Sequence, residues 1–278
     1  MSLNRLFPQK VKIVSIGGGT GLARLLLGLK HFVGKNSKTF SLSSKFAVSQ
    51  LTALVTVTDD GGSSGRLREE FQILPPGDIR KCMVALSEDE LLMSKLFQYR
   101  FSGEGDLKGH SFGNLFLTAL TGVTGDFLEA IKLSSEVLAI KGRILPSTMS
   151  DIRLAAELQN GETVLGESSI GRSTERIHRI SILPEGAKPL TETLDAIEKS
   201  DIITLGPGSL FTSLLPNLLV KEITEAIRTS SAFKIFIGNI MTQKGETLGF
   251  SMADHLQAIY DHVGEPCFDI VLCNHSTI

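Results

Sequence analysis

The sequence predicts an α/β protein, a Rossmann-like three-layer fold whose sheet is mostly parallel and carries a helical insertion. Three observations lead there. Apolar strand-like runs alternate with helix-like runs along most of the 278 residues, the pattern of a parallel sheet crossed by helices. Glycine-rich turns follow several of those runs, at the strand ends where open α/β sheets bind ligands. Between about residues 65 and 145 the strand signal stops and helical spacing takes over. Residues 1–278 therefore read as one domain with that mainly helical insertion. A chain of this length buries roughly 75% of the surface it exposes when unfolded, enough for a sizeable core.

The elements follow in order. VKIVSI (Val11 to Ile16) is a short β-branched run, and GLARLLLGLKHF behind it spaces its leucines for a helix. Residues 34–50, rich in Ser and Lys, read as a mobile connection. LTALVTVT is the second strand, parallel to the first because a helix crosses between them. DELLMSKLFQYRF, FGNLFLTALTG and DFLEAIKLSSEVLAI make the helical block. Residues 151–185 carry β-type runs, ETVLGESSI and ERIHRISILP, read as short antiparallel or edge strands. Then LTETLDAIEKS is helix, DIITL strand, GPGS turn and SLLPNLLVKEITEAIRTS helix, before AFKIFIGNI, DHLQAIYDHV and DIVLCN supply strand, helix and a last strand.

Composition narrows the function classes. The formal net charge is −2 with no long block of one sign, which argues against a nucleic-acid partner held by phosphate neutralisation and leaves a small-molecule ligand as the default. Cys82, Cys267 and Cys273 are too few and scattered for a disulfide framework, and no pair has C-x-x-C spacing. The start shows no signal-peptide pattern, and no window approaches ~18 consecutive apolar residues, so the expectation is a cytoplasmic protein without a membrane span.

The candidate site lies at the strand ends. In IGGGTGLARLL, Gly17, Gly18, Gly19, Thr20 and Gly21 join strand to helix, where backbone N–H groups and the positive helix end can face an anion. The run fits neither the dinucleotide pattern G-x-G-x-x-G nor a P-loop; it is either a phosphate cradle or a tight turn. Similar turns recur at Gly206, Pro207, Gly208 and Ser209, and at Asn239 and Gln243. In TVTDDGGSSG, one of Asp59 and Asp60 faces the ligand, holding a ribose hydroxyl or Mg²⁺, because neighbours at a strand end point to different sides. Gly61, Gly62 and Ser63 then let the backbone approach closely. In LPPGDIRKCMVALS, Asp78 is either a helix N-cap or a ligand contact, and Arg80 a group that can reach an anion; in GHSFGNLF, His110, Ser111 and Asn114 form a polar set in a glycine-punctuated loop that favours contact with a ligand. No G-x-S-x-G elbow is present, so a hydrolase triad lacks its usual sign.

IGGGTGL, TVTDDGGSSGRLR, LPPGDIRKCMVALS, LFQYRF, GHSFGNLF, TGDFLEAIK, GRILPST, LGPGSLFTSLLPNLLV and MTQKGET together resemble the YvcK-like gluconeogenesis factor family of bacteria (UPF0052), from about Val11 to about Asn274. That family is related to the CofD-type 2-phospho-L-lactate transferases, which act in making a deazaflavin cofactor. The resemblance implies a cytoplasmic protein that binds UDP-sugars such as UDP-N-acetylglucosamine or UDP-glucose. It also implies a link to growth on gluconeogenic carbon, cell shape and envelope synthesis, a regulator's role without a proven reaction, and no required cofactor beyond Mg²⁺ beside a bound nucleotide. By motif match, nucleotide and Mg²⁺ roles pass to Gly17 through Gly21, Asp59, Asp60, Asn114 and Gly206 through Ser209. Family members usually continue past the strand matching DIVLCN, so some nucleotide-sugar contacts are expected beyond Ile278. A homo-oligomer is compatible with all of this. The alternative, a Mg²⁺-dependent phosphotransferase like the CofD enzymes, needs aromatic stacking for a flat deazaflavin, yet the chain has no Trp and only Tyr99 and Tyr260.

Overall fold

A computed structural model describes residues 10–34, 47–88, 92–264 and 267–275. Most of the Ser- and Lys-rich connection, the first residues of the DELLMSKLFQYRF segment and the chain start lie outside the described residues. The strands are β1 (Lys10–Gly17), β2 (Ala47–Val55), β3 (Arg143–Pro146), β4 (Arg153–Leu158), β5 (Thr163–Leu165), β6 (Ile177–Leu183), β7 (Ile202–Leu205), β8 (Phe233–Ile237) and β9 (Ile270–Leu272). The helices are α1 (Gly19–Leu29), α2 (Gly62–Phe71), α3 (Gly77–Leu86), α4 (Leu92–Gln98), α5 (Phe112–Thr124), α6 (Phe127–Val137), α7 (Glu167–Ile170), α8 (Thr191–Glu198), α9 (Leu215–Leu218), α10 (Lys221–Thr229) and α11 (Met252–Val263).

Six strands form a parallel sheet in the order β3-β2-β1-β7-β8-β9. Its central strands read as almost unbroken apolar runs because helices cover both faces: every residue of β1 from Ile13 to Gly17 is buried. The predicted helical insertion is α2 to α6, and residues 151–185 form the expected antiparallel strands, a separate sheet in the order β5-β4-β6. The buried Arg68 of α2 pairs with Asp151 and donates to the Ile152 carbonyl at 2.6 Å, tying the insertion to this smaller sheet.

Three elements depart from the sequence reading. ETVLGESSI is strand only over Thr163–Leu165 and then turns into α7, and the second strand starts earlier than LTALVTVT and stops at Val55. SLLPNLLVKEITEAIRTS is not one helix but a π-helical turn at Leu210–Leu214, then α9, then α10. Pro216 has no N–H for the carbonyl four residues back, and that Thr212 carbonyl instead accepts the Thr58 hydroxyl at 3.4 Å. Glu246 satisfies the start of the turn, accepting the Phe211 N–H and the Thr212 hydroxyl, both at 2.9 Å. π-turns of this kind recur at functional sites.

His262 couples α11 to β6 and makes stability pH-dependent. The Ile180 N–H donates to Nε2 at 2.9 Å and the Ala258 carbonyl lies 2.6 Å from Nδ1, an arrangement that requires the proton on Nδ1 and a neutral ring. Burial pushes its pKa below 6.5, helped by Arg179 and His178 and opposed by the Ala258 bond and Asp261. The folded state then takes up this proton less readily than the unfolded chain, so its contribution is complete above about pH 6.5 and is lost as pH falls. Denaturant melts across pH should show stability declining below about 6.5, by at most about 1.4 kcal/mol per pH unit from this group. His262→Gln should flatten that part of the profile; an unchanged slope would assign the effect elsewhere.

Candidate functional site

The sheet reverses its order at β1: the chain builds outward through β2 and β3 on one side, then returns to place β7 on the other. Such a switch point opens a crevice at the carboxyl ends of the strands. Here it is a cleft of about 400 Å³.

Of the residues expected from sequence, Gly18, Gly19, Thr20, Gly21, Asp59, Asp78, Gly208, Ser209, Asn239 and Gln243 line this cleft. The Gly19 N–H donates to Asp78 Oδ2 at 2.6 Å, so the glycine turn receives a carboxylate of the protein itself. Asp78 is therefore not the N-cap the sequence suggested; Pro76 occupies that position, and Asp78 points from the first turn of α3 toward α1. Gly208 and Asn239 bind each other reciprocally, at 2.9 and 2.8 Å, and Gln243 Nε2 donates to Ser209 Oγ at 3.0 Å.

The adjacent acids separate as expected for neighbours at a strand end. Asp59 faces the cleft, its Oδ1 accepting the Gly61 N–H at 2.9 Å, while Asp60 turns away to accept the Ser168 N–H at 2.8 Å. Gly17 closes β1, its carbonyl accepting the Thr56 N–H and Asn217 Nδ2. Gly206 and Pro207 end β7 behind the lining, and Gly62 starts α2.

Ser63, Arg80, His110, Ser111 and Asn114 do not line the cleft. They form a buried network behind it: Arg80 Nε donates to Asn114 Oδ1 at 2.9 Å, Asn114 Nδ2 to Ser63 Oγ at 3.1 Å, and Ser63 shares a hydrogen with His110 Nδ1 at 3.0 Å. Ser111 caps α5 by accepting the Asn114 N–H. Through Ser64, whose hydroxyl lies 3.5 Å from Asn114 Nδ2 and bonds Asp59, the network reaches the cleft wall. A side chain at Gly77 would break this arrangement, because its Cβ would sit 2.5 Å from Asp59 Oδ2 and 2.3 Å from Ser64 Oγ.

Comparison with known proteins decides the family. The family model of the 2-phospho-L-lactate transferase CofD matches residues 13–278. The chain is also 50% identical over 270 residues to the gluconeogenesis factor of Halalkalibacterium halodurans, covering 97% of this chain and 79% of that one. The chain belongs to the gluconeogenesis-factor branch of the CofD family. It is 48% identical to the Bacillus subtilis gluconeogenesis factor, with 97% and 80% covered. Against a putative gluconeogenesis factor of Nostoc it is 52% identical, but it spans only about half of that chain's length, 54%. A crystal structure of a UPF0052 family member from Bacillus halodurans superposes with a TM-score of 0.88 at 49% identity, covering 97% of this chain and 82% of that one.

In this CofD-family cleft the charges are unbalanced. Burial raises the Asp59 pKa, and repulsion from Asp78 adds to it, against the Ser64 and Gly61 hydrogen bonds. Glu167 is held well above the usual carboxylate range by burial and then by Asp78, Asp59, Asp60 and Glu246. Lys81, 2.9 Å from Asp78 Oδ1, is the one cation in the lining among the described residues. Burial disfavours its charge, yet Asp78 and Asp59 outweigh that and raise its pKa. Carboxylate oxygens suit Mg²⁺, which takes one or two carboxylates and fills its shell with phosphate oxygens and water. Among the described residues no group of three or more His, Cys, Asp or Glu side chains is arranged to hold a metal alone. A Mg²⁺ ion arriving with a phosphate would find carboxylate oxygens here at Asp59 and, in exchange for its Gly19 or Lys81 contact, at Asp78.

Lys81, Glu167, Ser213 and Met241 also line the cleft and were not expected from sequence. Lys81 was readable, since it stands three residues after Asp78 on a helix and so shares its face. Glu167 had no local signal: it comes from the smaller sheet region and meets the cleft only through the tertiary fold.

Proposed function

We propose that this cleft binds a nucleotide-sugar, UDP-N-acetylglucosamine or UDP-glucose, with Mg²⁺ beside its diphosphate. In this reading the protein is a cytoplasmic regulator that links carbon metabolism to cell-wall synthesis and cell shape. The supporting observation is the convergence, at one sheet switch point, of the α1 glycine turn, the Gly208–Ser209 loop and Lys81, opposite the Asp59 and Asp78 carboxylates. Thr20, Gly21 and the positive end of α1 would face the diphosphate, and Lys81 would exchange part of its Asp78 contact for a phosphate oxygen. Mg²⁺ would neutralise the phosphates against the acidic wall. The names of the relatives, gluconeogenesis factors, support the metabolic part of this reading. Calorimetry of the full-length protein with UDP-N-acetylglucosamine and Mg²⁺ should give a saturable heat; none at millimolar ligand would sink the proposal.

The transferase alternative draws support from the same acid pair, since Asp59 and Asp78 could hold Mg²⁺ while an acceptor hydroxyl attacks a phosphoryl group. The lining argues against a deazaflavin acceptor. Among the described residues it holds no aromatic side chain, and Tyr99 is half-exposed on the α4 side of the insertion. Absence of turnover with nucleotide-activated phospholactate and a deazaflavin would count against this alternative.

A further inference from the structure

Polar groups dominate the cleft wall. Glycines, hydroxyls, amides, carboxylates and Lys81 make it, and among the described residues Met241 is its one large apolar side chain. Met241 is 68% exposed and its neighbour Ile240 is 71% exposed. Single exposed apolar side chains are ordinary on a protein surface. This pair differs in its position and its fixation. On one side Asn239 is bound twice to Gly208, and on the other Gln243 is bound to Ser209 through its side chain and to Thr247 Oγ1 through its N–H, at 3.0 Å each. The same residues that join this loop to the phosphate-directed turn thus hold an apolar step at the cleft.

A ligand whose phosphates meet the α1 turn and Lys81 extends past this step or into solvent. Its apolar or planar portion finds no other unpolar partner in the lining. We infer that Met241, with Ile240 beside it, is the seat for the planar ring of a nucleoside diphosphate and so sets the preference for a nucleotide over bare diphosphate. The inference rests on the nucleotide reading above. A thioether against a ring face or edge is a favourable contact, and Met adapts to the ring it meets. Because both side chains are exposed, replacing them leaves the core untouched.

The test uses uridine 5′-diphosphate and inorganic pyrophosphate, each with Mg²⁺, against the full-length wild-type protein and the Ile240→Ser/Met241→Ser variant. Wild type should bind the nucleotide more tightly than pyrophosphate. The variant should lose about five- to tenfold in affinity for the nucleotide, as expected for one lost ring contact, and keep its pyrophosphate affinity within about twofold. Equal affinity of wild type and variant for the nucleotide overturns the inference. So does an equal loss for both ligands, which would mean the step shapes the phosphate site instead. If wild type binds pyrophosphate but gains nothing from the nucleoside, the ring seat falls and the phosphate site stands. If it binds neither, the nucleotide reading falls as well.

Discussion

Asp59→Asn should cut Mg²⁺-dependent nucleotide binding by roughly ten- to a hundredfold, the worth of one charge-assisted contact, while leaving the fold at least as stable. The two effects have one cause. Asp59 is a half-buried carboxylate whose pKa is raised by desolvation and by Asp78, so its charge is held against the folded state's preference. With a raised folded pKa, the native protein binds the proton more readily than the unfolded chain, and stability falls as pH rises from 3.8 through the folded value. Asn removes that cost and can still accept the Gly61 N–H through its remaining oxygen. Thermal melts of the ligand-free variant should therefore match or exceed wild type, and its acid-range pH dependence should shrink. Asp60→Asn is the contrast: Asp60 receives the Ser168 N–H and lies off the cleft, so nucleotide affinity should change little. Wild-type binding by Asp59→Asn would remove this carboxylate from the ligand site.

The legibility of this site in the sequence follows from how local each signal is. The glycine turns after β1 and β7 were readable because a strand, a glycine run and a helix are adjacent in the chain, and the sheet's switch point then brings the turns together. The direction of a side chain is not local. Arg80, His110 and Asn114 looked like ligand contacts because polar residues near glycines favour sites, yet they turn inward to one another and support Asp59 from behind. Asp78 was open to two readings, a ligand contact or a cap for its own helix; its carboxylate lies in the cleft and accepts the Gly19 N–H of another helix. Glu167 enters the cleft from far beyond Asp59 in the chain, a separation no spacing rule spans. The break at Pro216 was readable in principle, since proline cannot serve the carbonyl four residues before it. What the sequence could not supply is the Thr58 hydroxyl that serves that carbonyl instead.

Gly21→Ala should be the more disruptive change, although it replaces a helical glycine by the best helix former. Alanine is favoured over glycine in a helix interior by about 1 kcal/mol, and Gly28 in the same helix offers the clean case: nothing stands within 4 Å of a Cβ there, so Gly28→Ala should stabilise the protein by roughly 0.5–1 kcal/mol. At Gly21 the Cβ would lie 2.4 Å from the Pro207 carbonyl oxygen, 2.7 Å from its carbon and 3.0 Å from Gly208 Cα. All three are backbone atoms, so no rotamer change relieves the clash; α1 must withdraw from the Gly206–Ser209 loop. Such overpacking costs about 1–3 kcal/mol, enough to outweigh the helix preference and lower the melting temperature by a few degrees. The functional loss should be larger than the structural one. The atoms forced apart belong to the two glycine turns on either side of the switch point, so on the proposed nucleotide reading affinity should drop at least tenfold in protein that remains folded. Comparing Gly21→Ala with Gly28→Ala by melting and calorimetry separates the two terms. If the two variants behave alike, the close approach of α1 to the β7 turn is not what shapes the cleft.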